Sequence, residues 1–406
     1  MRHFLAYGNS DQASFRDPEV KHALDYMMVP GTIAAYYPDA TAAFVLSSGI
    51  KYAIDPRTPL FQELISQPRP SHFELASWLG EPVHQRMQAH QAAATIRFPS
   101  DFYTDDVVTA LVEAIVEAQR RYGGRAPQLV KKLERYRLLA EKAAPGEQVT
   151  NIPAGQSGPR PEFVLAPYFF TSSEQDPWFK VNKAIWQACR DLDPASISPV
   201  VAVMKRGLLE RVMQQVPKGF SKTVFFWING LDERRANEAD LRQLALTIKS
   251  LSTGRQLINL YGSFFSIILG RHGLWGMSNG LGYSEARNWP ELGATGAAPA
   301  RYYLRGLHMY LSDGTAQLII DRAPEFACDC PVCSGRRVVG MGYHQLKKHF
   351  ALSRQWERSL VDSLDDDELI QHLKDSRSSM RKVAKTMPSS LVPDTNFLDR
   401  WAAALR

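Results

Sequence analysis

Cysteine is scarce, with four in 406 residues, too few for a disulfide scaffold of this size. No apolar run approaches the roughly 18 residues a membrane span needs. The segment Met1–Asn9 has no basic-then-apolar signal pattern. These absences predict a protein of the reducing cytoplasm with no membrane partner. A G-x-G-x-x-G phosphate loop is missing, which argues against a Rossmann fold. So are a Ser-His-Asp set, a His-x-His pair and any internal repeat. The C-x-x-x-C-x-x-C spacing of radical iron–sulfur enzymes is absent, as is the second C-x-x-C of a zinc ribbon.

What cysteine there is lies together. Cys328, Cys330 and Cys333 fall within six positions, and fifteen residues intervene before His349. A C-x-C-x-x-C turn offers three thiolates, and Zn²⁺ takes Cys sulfur and His nitrogen in sets of four. His349 and His344 compete for the fourth place. Four protein ligands leave no open position, so the expected zinc is structural.

Net charge is +6, and its distribution is uneven. From Arg120 to Lys142 eight Lys or Arg oppose only Glu134 and Glu141, a local excess of six. Such a stretch serves either as a solvated helix face or as a contact surface for a phosphate backbone.

His3–Tyr7 fits a first strand, and Gly31–Tyr37, Ala42–Leu46, the run ending at Asp55 and Thr95–Phe98 read as further strands. Phe61–Met87 reads mostly as helix, followed by helices Val107–Ala118, capped by Asp105 or Asp106, and Pro127–Lys142. Pro145–Pro161 reads as a linker. Beyond it, apolar runs at Glu162–Phe170, Ser198–Met204, Thr223–Asn229, Gln256–Gly262 and Leu274–Ser278 alternate with helices such as Trp178–Arg190, Leu208–Gln215 and Glu238–Leu251. This rhythm predicts βαβ units and a parallel sheet, and the eight to ten strand candidates suit a (β/α)8 TIM-type barrel. The barrel is expected over residues 1–325 with a basic helical insertion at about 105–160. Residues 326–406 are expected to form a C-terminal zinc-binding helical subdomain, with helices at Tyr343–Ser363, after Asp365 and at Asn396–Leu405.

In a barrel, catalytic residues stand just past the strand ends. The candidates are Asp55, Asp101, Tyr168, Lys205, Asn229, Asp232, Tyr261, Asn279 and Glu285. A carboxylate pair suits chemistry at a sugar carbon, one stabilising or attacking an oxocarbenium-like centre and the other moving protons. Each carboxylate alone also serves as a helix cap or loop ion pair. The loop Gly280-Leu281-Gly282-Tyr283-Ser284-Glu285 is either a sharp corner or a close backbone approach to a base or phosphate.

The glycine loop, the C-x-C-x-x-C knuckle and a downstream His on an apolar helix (Phe350, Leu352, Trp356, Leu360) together resemble the tRNA-guanine transglycosylases, mainly over residues 270–365. That helix favours His349 over His344. The family's D-S-G-G-F-Q run is absent, with Tyr52-Ala-Ile-Asp55 its nearest stand-in. Its D-C-V-x-P-T-R nucleophile motif is absent as well, His308-Met-Tyr and Asp313 lying there instead, and the Cys-to-His gap is shorter. The pattern is most similar to the diverged branch that inserts 7-deazaguanine bases into DNA. The resemblance implies base exchange through an aspartyl-glycosyl intermediate, with Asp55 and Asp232 catalytic and Asp101 in reserve, reading the base edge. It further implies Tyr168, Gly280, Gly282 and Glu285 as substrate-binding residues. The partners would be DNA in preference to tRNA, a 7-deazaguanine base and, as candidates, helper subunits. Two other classes fit the same residues: a nucleoside or sugar hydrolase on the barrel, and a non-catalytic nucleic-acid-binding subunit of a DNA modification or defence system.

Overall fold

The computed structural model describes residues 1–406 except 63, 66, 94–95, 144–151, 153–155, 283–284 and 294–300. Ten short strands form one curled, all-parallel sheet. They are β1 (Arg2–Ala6), β2 (Tyr26–Pro30), β3 (Tyr52–Asp55), β4 (Phe163–Leu165), β5 (Phe170–Thr171), β6 (Ile197–Ser198), β7 (Val200–Val203), β8 (Thr223–Ile228), β9 (Gln256–Asn259) and β10 (Leu274–Gly280). Their spatial order is β5-β7-β8-β9-β10-β1-β2-β3-β4-β6. A separate antiparallel pair, β11 (Tyr302–Leu304) and β12 (Met309–Leu311), sits ahead of the cysteines.

The strands are buried on both faces, as parallel strands covered by helices must be. Phe4, Tyr26, Phe163, Phe225 and Trp275, from β1, β2, β4, β8 and β10, meet ring to ring on the inner face. Alternate residues face outward. In β3, Tyr52 and Ile54 join Phe44 and Val45 of the helix Pro38–Ser47, whereas Ala53 packs with Phe4 and Tyr26 inside. Period-two alternation therefore turns Asp55, two residues on from Ala53, toward the inner face at the carboxyl end of β3.

Most of the expected rhythm is present. The helix Glu238–Leu251 and the helix Tyr343–Ser363 have the expected bounds, and Asp365 caps the helix Asp366–Ala384 through a reciprocal bond pair with Glu368. Two expected strands are helices instead: Gly31–Tyr36, and Pro38–Ser47, which covers Ala42–Leu46. Both are alanine-rich, Pro38 opens the second, and the second is buried on nearly all sides. A helix wrapped in core shows no polar face to betray its period. The real second strand, Tyr26–Pro30, lies just before them. Thr95 lies outside the described residues, and Ile96 forms only an isolated bridge to Ile65. Thr104, not Asp105 or Asp106, is the N-cap residue of the helix Asp105–Arg120, and the two aspartates sit in its first turn. The segment read as one helix from Phe61 divides into Pro70–Ala76 and Glu81–Ala92. The basic helix runs Val130–Ala143 and packs on Pro38–Ser47. Much of the expected Pro145–Pro161 linker lies outside the described residues.

Candidate active site and metal centre

Cys328, Cys330, Cys333 and His349 are all buried, and their ligand atoms lie within 4.8 Å of one another. The knuckle is a tight turn in which Cys333 and Ser334 N–H both donate to the Cys330 carbonyl. His349 Nδ1 lies 3.2 Å from Cys333 Sγ and 3.6 Å from Cys330 Sγ. In a tetrahedron with Zn–S near 2.3 Å and Zn–N near 2.05 Å that separation is about 3.6 Å. His349 Nε2 lies 2.7 Å from the Tyr303 carbonyl, to which its N–H donates, so Nδ1 is left to face the sulfurs. Tyr302 stacks on the imidazole at 4.3 Å. The donors fit a closed zinc site. His344 points elsewhere, its Nδ1 lying 3.4 Å from Ser14 Oγ. The fourth cysteine, Cys189, is a core residue whose thiol burial pushes up to about 12.

At the carboxyl rim of the sheet, Asp55 is buried. Its Oδ1 accepts from Tyr168 Oη at 2.8 Å and from the Arg57 N–H at 3.0 Å, and its Oδ2 lies 3.6 Å from Arg57 Nε. Burial and the Asp55 charge push the Tyr168 phenol well above its usual range, so it stays a donor. Thr58 stitches the two strand ends together, with its hydroxyl accepting from the Tyr168 N–H at 2.8 Å and donating to the Tyr168 carbonyl at 2.5 Å. Arg57 takes a left-handed conformation, φ 52°, to make this corner. A side chain at Gly31 would stand 2.9 Å from the Asp55 carbonyl, so only glycine lets the next helix start against this strand end.

Asp232 lies past β8. It accepts from the Arg234 N–H at 3.0 Å and lies 3.4 Å from Arg235 Nε and 3.9 Å from Arg234 Nε. Asp55 and Asp232 thus stand on the same rim, with no bond joining them among the described residues. Gly280 ends β10 opposite Ala6. Gly282 has φ +94° and backs onto Lys347. Lys347 is itself buried and ion-paired with Asp11. Tyr283 and Ser284 lie outside the described residues. Asp101 is exposed on the turn Ser100–Phe102 and is not brought against Asp55. Asn229 Oδ1 accepts from the Trp289 N–H, and Trp227 lies between Phe170, which it meets edge to face, and Tyr261, whose ring is tilted against it. Asn279 Oδ1 lies 3.2 Å from His3 Nε2. A cavity of about 520 Å³ at the opposite, N-terminal end of the strands, lined by Arg120, Arg160, Glu162 and Asp193, holds none of the predicted residues.

Glu285 is not open to a ligand on either oxygen. Its carboxylate lies 2.6 Å from Arg234 Nη2 and also against Arg354 Nη2, in ion-pair contact but at angles unsuited to hydrogen bonds. Arg354, fully buried, donates to Glu357 at 2.5 Å and to Tyr303 Oη at 3.0 Å, and its guanidinium lies over the Tyr303 and Phe350 rings. Glu357 also accepts from Tyr303 Oη, and it lies 2.7 Å from His308 Nδ1. Burial works to raise the Glu357 carboxyl. Arg354, His308 and Tyr303 outweigh it and hold the group below its usual value. Because Tyr303 also accepts from His349, a continuous chain of contacts runs from the knuckle through Arg354 and Glu285 to Arg234 beside Asp232. Sequence reasoning missed Arg354 and Glu357. Their one signal was their spacing with Lys347 and Phe350 on one stripe of the helix Tyr343–Ser363.

Glu233 is buried as well. It accepts from Ser263 and Ser266, hydroxyls and N–H groups alike, and burial raises its carboxyl despite those bonds. Its partners are all internal, which makes it a brace between β8 and the start of the helix Phe264–Ile268. Among the described residues no helix is long and apolar enough to cross a membrane. No family model matches the chain, and no curated protein matches it either.

Proposed function

We propose that the protein is a (β/α)8 barrel enzyme that exchanges guanine in a nucleic acid, DNA in preference to tRNA, for a 7-deazaguanine base. Strand continuity supports the barrel. Only four residues separate β4 from β5 and only Pro199 separates β6 from β7. Since β4 pairs with β6 and β5 with β7, counting each interrupted pair as one strand gives a closed ring of eight.

One observation carries the chemistry: a buried carboxylate, Asp55, held by Tyr168 and Arg57 at the rim that also bears Asp232 and Gly280 at the end of β10. A carboxylate oriented by two donors keeps its geometry while a cationic sugar carbon forms in front of it. In this reading Asp55 or Asp232 attacks C1′ of the deoxyguanosine and the glycosidic C–N bond breaks. Guanine leaves with a proton relayed by the other carboxyl group. The 7-deazaguanine then attacks C1′, the aspartyl ester bond breaks, and the N–H proton of the incoming base restores the second carboxyl group. Cys328, Cys330, Cys333 and His349 would hold a structural zinc that fixes the chain of contacts to Arg354 and Arg234.

A non-catalytic binding subunit is the second reading. It is favoured by Arg234 and Arg235 beside Asp232, which offset the charge of one carboxylate. Intact-mass measurement after rapid denaturation with a guanine-containing oligonucleotide separates the two. The enzyme reading expects a covalent adduct that disappears in Asp55→Ala or in Asp232→Ala, whichever residue attacks. An adduct that survives both substitutions would remove both from the nucleophile role. DNA binding with no adduct in the unaltered protein would assign it to the binding class.

A further inference from the structure

Tyr36 and Tyr37 are exposed, at 37% and 47%, and their rings meet edge to face at 4.4 Å. They end the six-residue helix Gly31–Tyr36, whose first residue touches the Asp55 backbone. At 1.5 Å rise per residue the pair stands about 9 Å along that helix from the rim. The next helix, Pro38–Ser47, lies along the basic helix Val130–Ala143, with Lys132 3.1 Å from Asp39 and Phe44 against Tyr136. The aromatic pair therefore leads from the Asp55 rim to the first turn of the basic helix.

On that helix Arg137 is engaged by Glu134 and Glu141, and Lys132 by Asp39. Lys131, Arg135 and Lys142 are exposed and unpaired among the described residues. Their spacing of four and seven residues puts them on one stripe, together with Leu138, which is 52% exposed. Unpaired cations in a row beside an exposed aromatic pair are the two components of single-strand binding: charge for phosphates and flat rings for bases.

The geometry points to a single-stranded nucleic-acid track running from the Asp55 rim over Tyr36 and Tyr37 and along Lys131, Arg135 and Lys142. It rests on the nucleic-acid reading above and adds where the strand lies and that the segment leaving the site is unpaired. The test is fluorescence anisotropy with a labelled 30-nucleotide single strand and the matching duplex over a salt series. Asp55→Asn serves as the background, so that binding is read apart from turnover.

Lys131→Ala/Arg135→Ala/Lys142→Ala should reduce the slope of log affinity against log salt by about 2, at roughly 0.7 per phosphate contact. Tyr36→Ala/Tyr37→Ala should weaken single-strand binding about 5- to 150-fold, the loss of one stacked base, and change duplex binding little. Zinc content and thermal midpoint should stay unchanged, since all five side chains are exposed. Unchanged slope and affinity in both variants, with base exchange retained when the same substitutions are made with Asp55 intact, would overturn the track and leave the proposed reaction standing. Self-association lost on changing the tyrosines, with DNA affinity unaltered, would reassign the face to a second copy of the chain. No binding of either nucleic acid by the unaltered protein would sink the track and the nucleic-acid reading together.

Discussion

Replacing Arg354 by Met removes the one cation that is fully buried between Glu285 and Glu357. Met keeps most of the aliphatic volume, so little cavity is created. What remains is two buried carboxylates, one still facing Arg234 and the other held only by Tyr303 and His308. Breaking a buried pair in this way costs about 3–5 kcal/mol, far more than the loss of a surface bridge. The pH dependence identifies the cause. In the unaltered protein Glu357 is held below its unfolded value of about 4.3, so its contribution is present at neutral pH and is lost as pH falls through the depressed folded value. Without Arg354 the folded value rises, the carboxyl takes up a proton, and the variant regains stability relative to the unaltered protein on acidification. Urea unfolding followed by tryptophan fluorescence should show a deficit of about 3–5 kcal/mol at pH 7 that narrows by pH 5. A deficit under about 1 kcal/mol at pH 7 would show that the ion-pair network adds little. A deficit equal at both pH values would show that lost packing against Tyr303 and Phe350 explains it.

Cys330→Ser and His349→Ala should each abolish binding of about one zinc per chain, whereas His344→Ala should leave it intact, as read by metal analysis; chelation should lower the thermal midpoint, since metal binding is coupled to folding. Tyr168→Phe removes the 2.8 Å donor to Asp55 and should reduce the unfolding free energy by about 1.5–3 kcal/mol, the range for hydrogen bonds to charged groups. Burial, helped by the neighbouring His308, depresses His372 to about 4. The unfolded imidazole protonates first, near 6.5, so stability should fall as pH drops from about 6.5 to about 4; His372→Gln should flatten that part of a melting-temperature series.

The parts of this structure that could be read without coordinates are those where chemistry is local in sequence. A C-x-C-x-x-C turn brings three sulfurs together by itself, and His349 follows on a helix whose apolar stripe is plain. The strands Thr223–Ile228, Gln256–Asn259 and Leu274–Gly280 are apolar runs, the first two separated by the amphipathic helix Glu238–Leu251, and they lie where expected. Pro38–Ser47 misled because near-complete burial removes the polar face that marks a helix, and Gly31–Tyr36, at six residues, is too short to show a helical period. The arginine–glutamate chain was invisible for a different reason. Arg354 and Glu357 look like surface charge in one dimension, and only Glu285, about seventy residues earlier in the chain, and Tyr303 convert them into a buried network. Asp55 was suggested by its place at the end of a short apolar run, whereas its partner Tyr168 was more than a hundred residues away.

Base exchange tests the central claim most directly. Zinc-loaded protein is incubated with single-stranded DNA, duplex DNA or tRNA carrying labelled guanine, with and without a 7-deazaguanine base, and released label is measured. The account predicts release from DNA that requires the incoming base and is abolished by Asp55→Asn. No release from DNA or tRNA with zinc and DNA both bound, or release undiminished in Asp55→Asn, would contradict it.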